Sequence, residues 1–320
     1  MSGHRSGLTS SIQSMARPIT LTLSVQGSPA ILLVVTASIH LGTSSFTATG
    51  WNGSFYPTGM HPRDYLSFYA EHFDSVEVDS TFYACPSVNT VSGWFAKTPD
   101  DFIFSVKVPQ TITHDKILVD CQPELKQFLD TMSVLGTKLG PIVFQFPFFS
   151  RGIFRDRHEF LDRLVPFLKK LPADHKFAVE LRNRNWLDGE FANFLRDHKI
   201  AQVLQDRSWM PNPSELKFDP VTADWTYIRW LGNRKEIEAV TQVWDKIVVD
   251  RTEELSNWVE FCHLIRKRGV TVYAYANNHY QGHGPATVQQ FIELWRNKGL
   301  PEIRKTPSVR KPIVGQRSLF

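Results

Sequence analysis

Charged side chains occur inside segments that otherwise have the pattern of buried strands. In "SVEVDS" (75–80), Val76 and Val78 alternate with Glu77 and Asp79, so both carboxylates project from one face of the predicted strand. "KFAVELR" (176–182) shows the same alternation and places Glu180 and Arg182 on one face. Because burial of an isolated charge costs several kcal/mol, these groups must pair with each other or with a ligand.

Polar groups lie near the same end of seven of the eight predicted strands. Outside the two segments above, these residues are Lys107, Gln145, Asp206, Tyr227, Arg229 and Asn277, with Asn278 directly after the last. Glu77 or Glu180 is a candidate base and Asp206 a candidate acid or metal ligand, whereas Lys107, Arg182 and Arg229 would stabilise negative charge. The mixture suits an anionic or hydroxyl-rich substrate. The alternative is an internal salt-bridge network that only fills the interior.

Strands and helices alternate about eight times along the chain, which predicts a single α/β domain with a TIM-type (β/α)8 barrel fold. A doubly wound sheet is the alternative, and it lacks the Gly-rich turn expected after its first strand. Catalytic groups of such barrels lie at the carboxyl ends of the strands, where the polar residues are found. Strands are predicted at 38–43, 75–80, 102–109, 141–147, 176–182, 201–206, 225–232 and 270–278, and helices at 62–73, 87–97, 123–136, 157–170, 188–199, 253–268 and 286–298, with an extra helix at 235–244.

The predicted loops add aromatic and histidine side chains at the same end. The aromatic residues expected to surround the opening, where they can stack on a sugar or a base, are Trp51, Tyr56, Phe82, Tyr83, Trp186 and Tyr280. Any one of them can equally belong to the core. His114, His279 and His283, together with Glu180 or Asp206, are candidates to hold a divalent metal, and His283 is also a candidate substrate contact.

Composition limits the cellular environment and the kinds of partner that can be expected. The 320 residues include three widely spaced cysteines without metal-ligand or disulfide spacing, which favours a reducing, cytoplasmic environment. No apolar run approaches the ~18–20 residues that span a bilayer, so no membrane partner is expected. Residues 37–303 hold 29 basic and 32 acidic residues, a net charge of −3. A broad phosphate-binding face is therefore not indicated, although a local cleft can still be positive.

Both termini differ from the body in composition. We expect a flexible extension at 1–36, the barrel at 37–300 and a basic flexible tail at 301–320. The tail ends in "QRSLF", in which Gln316, Leu319 and Phe320 resemble the bacterial sliding-clamp-binding peptide Gln-x-x-Leu-Phe. The alternative is an ordinary chain end. Clamp docking would indicate a function in DNA repair or replication.

Several motifs in fixed order resemble the domain-of-unknown-function 72 (DUF72) family, also called YecE-like, over about residues 38 to 300. They include "FDSVEVDSTFYACPS" (73–87), "FSVKVPQTITH" (104–114), "FAVELRNRNW" (177–186) and "YANNHYQGHGP" (275–285). The resemblance implies a barrel similar to those of xylose isomerases and apurinic endonucleases, which are metal enzymes. Family-typical positions are Glu77, Lys107, Gln145, Glu180, Arg182, Arg229, Asn277, Asn278, His283 and Pro285. The chain departs from the family at Asp79, usually Asn, at Leu231, usually His, and at His279, usually Asp.

Three functional hypotheses follow from these residues. The first is an enzyme, hydrolytic or metal-assisted, that acts on a phosphorylated or nucleic-acid-derived substrate. The second is a sugar-directed hydrolase or isomerase, for which aromatic stacking beside paired carboxylates is the usual equipment. The third is a non-catalytic binding module recruited through the tail.

Overall fold

The computed structural model describes residues 37–303, in which eight parallel strands alternate with helices. Seven of the eight strands lie within segments predicted from the sequence, and the fourth begins at Leu139, two residues before its predicted segment. The predicted order of strands is confirmed. The strands are β1 (Ile39–Thr43), β2 (Ser75–Val78), β3 (Ile103–Lys107), β4 (Leu139–Gln145), β5 (Phe177–Glu180), β6 (Ala201–Asp206), β7 (Trp225–Trp230) and β8 (Thr271–Ala276). The extension at 1–36 and the clamp-like residues Gln316, Leu319 and Phe320 lie outside the described residues.

The helices follow the strands as the periodicity predicts. They are α1 (Tyr65–His72), α2 (Val88–Ala96), α3 (Gln122–Met132), α4 (Arg157–Leu168), α5 (Gly189–Asp197), α6 (Arg234–Val240), α7 (Thr252–Lys267), α8 (Asn278–Gln281) and α9 (Gly284–Asn297). The side chains of Ser87 and Asp188 accept hydrogen bonds from the first turns of α2 and α5 and thereby cap these helices. The one-turn helix α8 lies in a segment predicted as a loop.

The strands form one sheet in the order β1-β8-β7-β6-β5-β4-β3-β2, with parallel pairing between neighbours. This is the predicted (β/α)8 barrel. Alternate residues build two apolar layers. The larger layer packs strands against helices, and the smaller one fills the interior with Val143, Ala178, Ala201, Val203, Trp225, Tyr227, Tyr273 and Tyr275.

The seam between β1 and β2 is bridged by a tyrosine hydroxyl. The Thr43 N–H donates to Tyr69 Oη at 2.8 Å, and this hydroxyl donates to the Ser75 carbonyl at 3.1 Å. The two strands approach so closely here that a Cβ on Gly42 would lie 1.9 Å from the Ser75 oxygen. Glycine is therefore required at position 42 for the barrel to close.

Among residues 37–303, no helix combines the length and the apolar character needed to cross a membrane.

We expect Tyr69→Phe to lower the free energy of unfolding by about 1–3 kcal/mol, because a buried N–H and a buried carbonyl lose the hydroxyl between them. Tyr65→Phe is the matched control on the same helix, since the Tyr65 hydroxyl accepts an exposed hydrogen bond from Asn52. Chemical denaturation at neutral pH measures both variants. Equal losses in the two variants would show that the Tyr69 hydroxyl does not hold the seam.

Candidate active site at the carboxyl ends of the strands

Arg229, on β7, lies at the centre of a buried group of ionised side chains. Its Nη2 donates to Glu77 Oε1 at 2.8 Å, and its Nη1 donates to Glu180 Oε2 at 2.6 Å. Nη1 also donates to Gln145 Oε1 at 3.0 Å. One guanidinium thereby connects strands β2, β4, β5 and β7. This is the end of the barrel at which the sequence predicts the polar strand-end groups.

Lys107 and Asp79 extend this group toward the opening. Lys107 Nζ pairs with Asp79 Oδ1 and lies 3.7 Å from Glu77 Oε1. Asp79 Oδ1 lies 3.6 Å from Arg229 Nη2, and the Asp79 side chain is 31% exposed. We call Glu77, Asp79, Lys107, Glu180 and Arg229 the ion cluster. Within it, Asp79 is the carboxylate that solvent reaches.

The cluster fixes the protonation states of its members. Burial alone would raise the pKa of Glu77, but the charges of Arg229 and Lys107 and a 2.7 Å hydrogen bond from the Tyr227 hydroxyl lower it to about 2. Burial also opposes ionisation of Glu180, and nearby cations, first Arg229, nevertheless lower its pKa. Burial raises the pKa of Asp79 more than Lys107 lowers it. Glu77 and Glu180 are thus carboxylates at neutral pH.

A layer of hydroxyl groups lies beneath the cluster. The buried Tyr275 hydroxyl is within 2.5 Å of Ser75 Oγ and 2.7 Å of Ser105 Oγ. The Tyr275 ring contacts that of Tyr227, which holds Glu77. This layer closes the barrel below the charged groups, so a ligand must approach from the open end.

Two further arginines lie on the open side of the cluster, and we call Arg182 and Arg207 the mouth arginines. Arg182 is 26% exposed, and its Nε lies 3.6 Å from Glu180 Oε1. Arg207 stacks over the Trp209 ring at 4.5 Å, and its charge contributes to lowering the pKa of Glu180. Burial lowers the pKa of Arg207 to about 10, which still leaves it charged at neutral pH.

The mouth arginines have unused hydrogen-bonding capacity. In the part of the chain that the structure describes, neither guanidinium donates a hydrogen bond to another residue. Glu180 Oε1 is also buried without a hydrogen-bond partner among these residues. Buried polar atoms are normally paired, and an unpaired set is typical of a site completed by a ligand or water. Arg207 was absent from the sequence-based set, although it directly follows β6.

Strand β6 presents Gln205, rather than Asp206, to the interior. The Gln205 Nε2 donates to the Leu181 carbonyl at 2.8 Å. Asp206 Oδ2 instead accepts from Trp258 Nε1 at 2.6 Å and Tyr280 Oη at 2.7 Å, in the helical layer. Burial raises the pKa of Asp206 in spite of these bonds. The prediction that Asp206 lies among the polar groups inside the barrel is therefore wrong, and its role as an acid or a metal ligand stays a prediction.

The asparagines after β8 hold the backbone of the following loop. Asn277 Oδ1 accepts from His279 N at 3.0 Å and contacts His279 Nδ1 at 2.6 Å. Asn278 Oδ1 accepts from Trp51 Nε1 at 3.2 Å and from Gly284 N at 2.8 Å. These oxygens are already engaged, so the structure does not bring either amide into the ion cluster.

The three histidines proposed as metal ligands have separate partners. His114 Nδ1 lies 2.9 Å from Thr113 Oγ1, and His279 Nε2 lies 3.1 Å from Glu238 Oε1. His283 Nδ1 accepts from the first turn of α9 at 3.2 Å, and burial lowers its pKa to about 4. Within residues 37–303, no three His, Cys, Asp or Glu side chains are grouped to hold a metal ion.

Most aromatic residues expected at the rim are part of the core. Trp186 is 5% exposed and stacks on Phe149 and Phe160. Trp51, Tyr56 and Tyr280 are also buried. These four rings therefore stabilise the packing of loops and helices and offer no face to a ligand.

Exposed rings do follow three of the strands. Tyr83, after β2, is 72% exposed and contacts the half-buried Phe82 edge to face. Phe148, after β4, and Trp209, after β6, are 64% and 47% exposed. The latter two were missed, although each lies three residues beyond the last residue of its strand. That position at the carboxyl end is the signal by which they could have been found.

A cavity of about 820 Å³ lies at the opposite end of the barrel. It is lined by residues that precede β6, β7 and β8, among them Lys199, Asp224 and Arg268. Neither the ion cluster nor the mouth arginines contribute to it. Its size therefore does not identify the site, and a ligand at the polar end would contact Asp79, Arg182 and Arg207.

Comparisons with known proteins point to one family. The family model described as "Protein of unknown function DUF72" matches residues 40–311. The UPF0759 protein YecE of Escherichia coli K12 is 35% identical over 133 residues, which are 40% of this chain and 47% of YecE. The UPF0759 protein YunF of Bacillus subtilis is 31% identical over 151 residues, 45% of this chain and 52% of YunF. The chain thus spans about half the length of the curated relatives it matches.

Solved structures show the same architecture. A DUF72 family protein from Thermotoga maritima has a TM-score of 0.66 and 27% identity, covering 81% of this chain and 99% of its own. A DUF72 family protein from Enterococcus faecalis has a TM-score of 0.59 and 21% identity, covering 81% and 98%. The second likeness concerns the fold alone.

We expect Glu77→Gln to lower the free energy of unfolding at pH 7 by about 3–5 kcal/mol, because Arg229 and Lys107 lose a buried counter-charge. The pKa of Glu77 is about 2, against 4.5 in the unfolded chain. Its ionised form therefore stabilises the fold above pH 4.5, by about 3 kcal/mol, and this contribution is lost as the pH falls toward 2. The difference in free energy of unfolding between wild type and Glu77→Gln should therefore decrease as the pH falls below 4.5.

The control is Asp130→Asn, which removes a carboxylate from an exposed pair with Lys126. It should change stability little at any pH. Denaturant unfolding from pH 7 to pH 2.5 measures all three proteins. A constant gap between wild type and Glu77→Gln across that range would contradict the assigned pKa.

Proposed function

Because this chain belongs to the DUF72 family of proteins of unknown function, its activity must be inferred from its own site, and we propose that it is an enzyme that binds a small phosphorylated substrate at the mouth of its barrel. The observation that carries the proposal is the unused hydrogen-bonding capacity of Arg182 and Arg207 beside the unpaired Glu180 Oε1.

The balance of charge supports an anionic ligand. Glu77, Asp79 and Glu180 provide three carboxylates, and Lys107 and Arg229 are already paired with them. Adding the mouth arginines brings the cations to four, so the site as a whole carries an excess positive charge. Arginine presents its donors in a planar fork that matches two phosphate oxygens.

Glu180 is the group best placed to accept a proton. Its Oε2 is held by Arg229, and its Oε1 faces the mouth arginines without a hydrogen bond among the described residues. A substrate hydroxyl or a water held beside the phosphate would donate to this oxygen. Lys107 and Arg229 then stabilise negative charge on the substrate from the interior side of the site. Asp79 orients Lys107 through their ion pair.

The other hypotheses receive less support. The sugar-directed alternative relied on aromatic residues of which Trp51, Tyr56, Trp186 and Tyr280 are buried. Participation of a divalent metal, docking to a sliding clamp through Gln316, Leu319 and Phe320, a role in DNA repair and a cytoplasmic location stay predictions from the sequence. A non-catalytic binding module would use the same mouth arginines and is separated from an enzyme by the second experiment below.

We expect Arg182→Ala and Arg207→Ala each to weaken binding of inorganic phosphate by about tenfold or more, because each removes a cation that has no other hydrogen-bonded partner among the described residues. Arg184→Ala is the matched control in the same loop, where the exposed guanidinium pairs with Glu215. Calorimetric titration at low ionic strength measures the affinity. Wild-type affinity in the Arg182→Ala/Arg207→Ala double variant, or no binding by wild type, would refute the phosphate site.

We expect Glu180→Gln to lower turnover of phosphate esters at least 100-fold while phosphate binding is retained, because the proton acceptor is lost and the mouth becomes more positive. Release of phosphate and of alcohol from a panel of mono- and diesters measures turnover. Thermal unfolding of the variant is recorded alongside, since Arg229 also loses a partner. A wild-type protein that binds phosphate but turns over no ester would favour the binding module.

A further inference from the structure

We propose that the preferred ligand of the mouth is a nucleoside monophosphate, whose base stacks on Trp209 while Arg182 and Arg207 hold its phosphate. The inference rests on the proposed phosphate site and adds the identity of the group attached to the phosphate. It follows from an exposed indole placed directly beside an arginine with unused donors.

Arg207 lies between Trp209 and the charge of Glu180 in its interactions: it contacts the indole, and its charge acts on the carboxylate. The guanidinium of Arg207 lies 4.5 Å from the indole centroid, and the charge of Arg207 acts on Glu180. Although the arginine covers part of the ring, Trp209 remains 47% exposed. Aromatic rings bind nucleobases by stacking, so the exposed part of the indole offers a face to a base.

The geometry places stacking and phosphate binding side by side. A nucleobase carries a planar π-face, and its phosphate is a short sugar unit away. Arginine beside an aromatic ring serves both parts, since the guanidinium stacks on a ring and donates to phosphate oxygens. A sugar phosphate without a base would use the mouth arginines but leave the indole exposed.

Charge limits the size of the ligand. Residues 37–303 carry a net charge of −3, so the body of the protein has no overall excess of positive charge with which to follow a long polyanion. At the mouth, four cations and three carboxylates leave an excess of one positive charge, which can balance one phosphate. A mononucleotide therefore fits the charge distribution better than an extended nucleic-acid strand does.

The test compares AMP with ribose 5-phosphate, which shares the phosphate and the sugar but lacks the base. Calorimetric titration of the full chain should give an AMP affinity about tenfold higher than that for ribose 5-phosphate, the increment expected from stacking one base. Trp209→Ala should abolish this preference, and Trp209→Phe should retain most of it. The ratio of the two affinities is the readout, because any effect of the substitution on Arg207 alters both ligands equally.

Phe95→Ala is the matched control, since Phe95 is an exposed ring beneath the Lys138 ammonium, away from the mouth. It should leave the ratio unchanged. Equal wild-type affinity for the two ligands, or a preference for AMP that persists in Trp209→Ala, overturns the stacking proposal alone. Failure of wild type to bind AMP, ribose 5-phosphate and inorganic phosphate overturns the phosphate site as well.

Discussion

The open end of the barrel depends on the pairing of Arg229 with Glu77 and Glu180. A guanidinium stays charged at any physiological pH, so its burial inside the barrel requires buried counter-charges. The two carboxylates come from β2 and β5, and their bonds to β7 tie three separate strands together. Apolar side chains of similar volume would fill a barrel at least as favourably. Stability alone therefore does not account for the cluster.

The alternation of residues along a strand correctly predicted which cluster residues face inward in those strands that have one clearly apolar face. In β2 and β5, valines and phenylalanine occupy the outer face, so the positions of Glu77 and Glu180 could be assigned from the sequence. Strand β6 reads "AQVLQD", in which Gln202 and Asp206 share one face and Gln205 lies on the other. Because polar residues occur in both phases, hydrophobicity does not decide which face is inside. Asp206 was misplaced for this reason.

Loop residues were harder to place than strand residues. Trp186 and Trp209 are the same residue type, and both lie beyond the carboxyl end of a strand, yet one stacks in the core and the other is exposed. The difference depends on the path of each loop over the helices, which residue type does not encode. The role of the Tyr69 hydroxyl between β1 and β2 could not be predicted from local sequence patterns either. Its two hydrogen bonds exist only because barrel closure brings these strands together.

Glu180 belongs to both parts of the site, and this links ligand binding to proton transfer. Arg229 fixes one of its oxygens, while Arg182 and Arg207 lower its pKa from the open side. A lowered pKa makes a carboxylate a weak base. On the proposed function, a bound phosphate neutralises the mouth arginines, so the pKa of Glu180 rises when substrate is present. Burial raises this pKa, and in the complex fewer unneutralised cations counteract it. Glu180 therefore becomes a stronger base only when the ligand is bound.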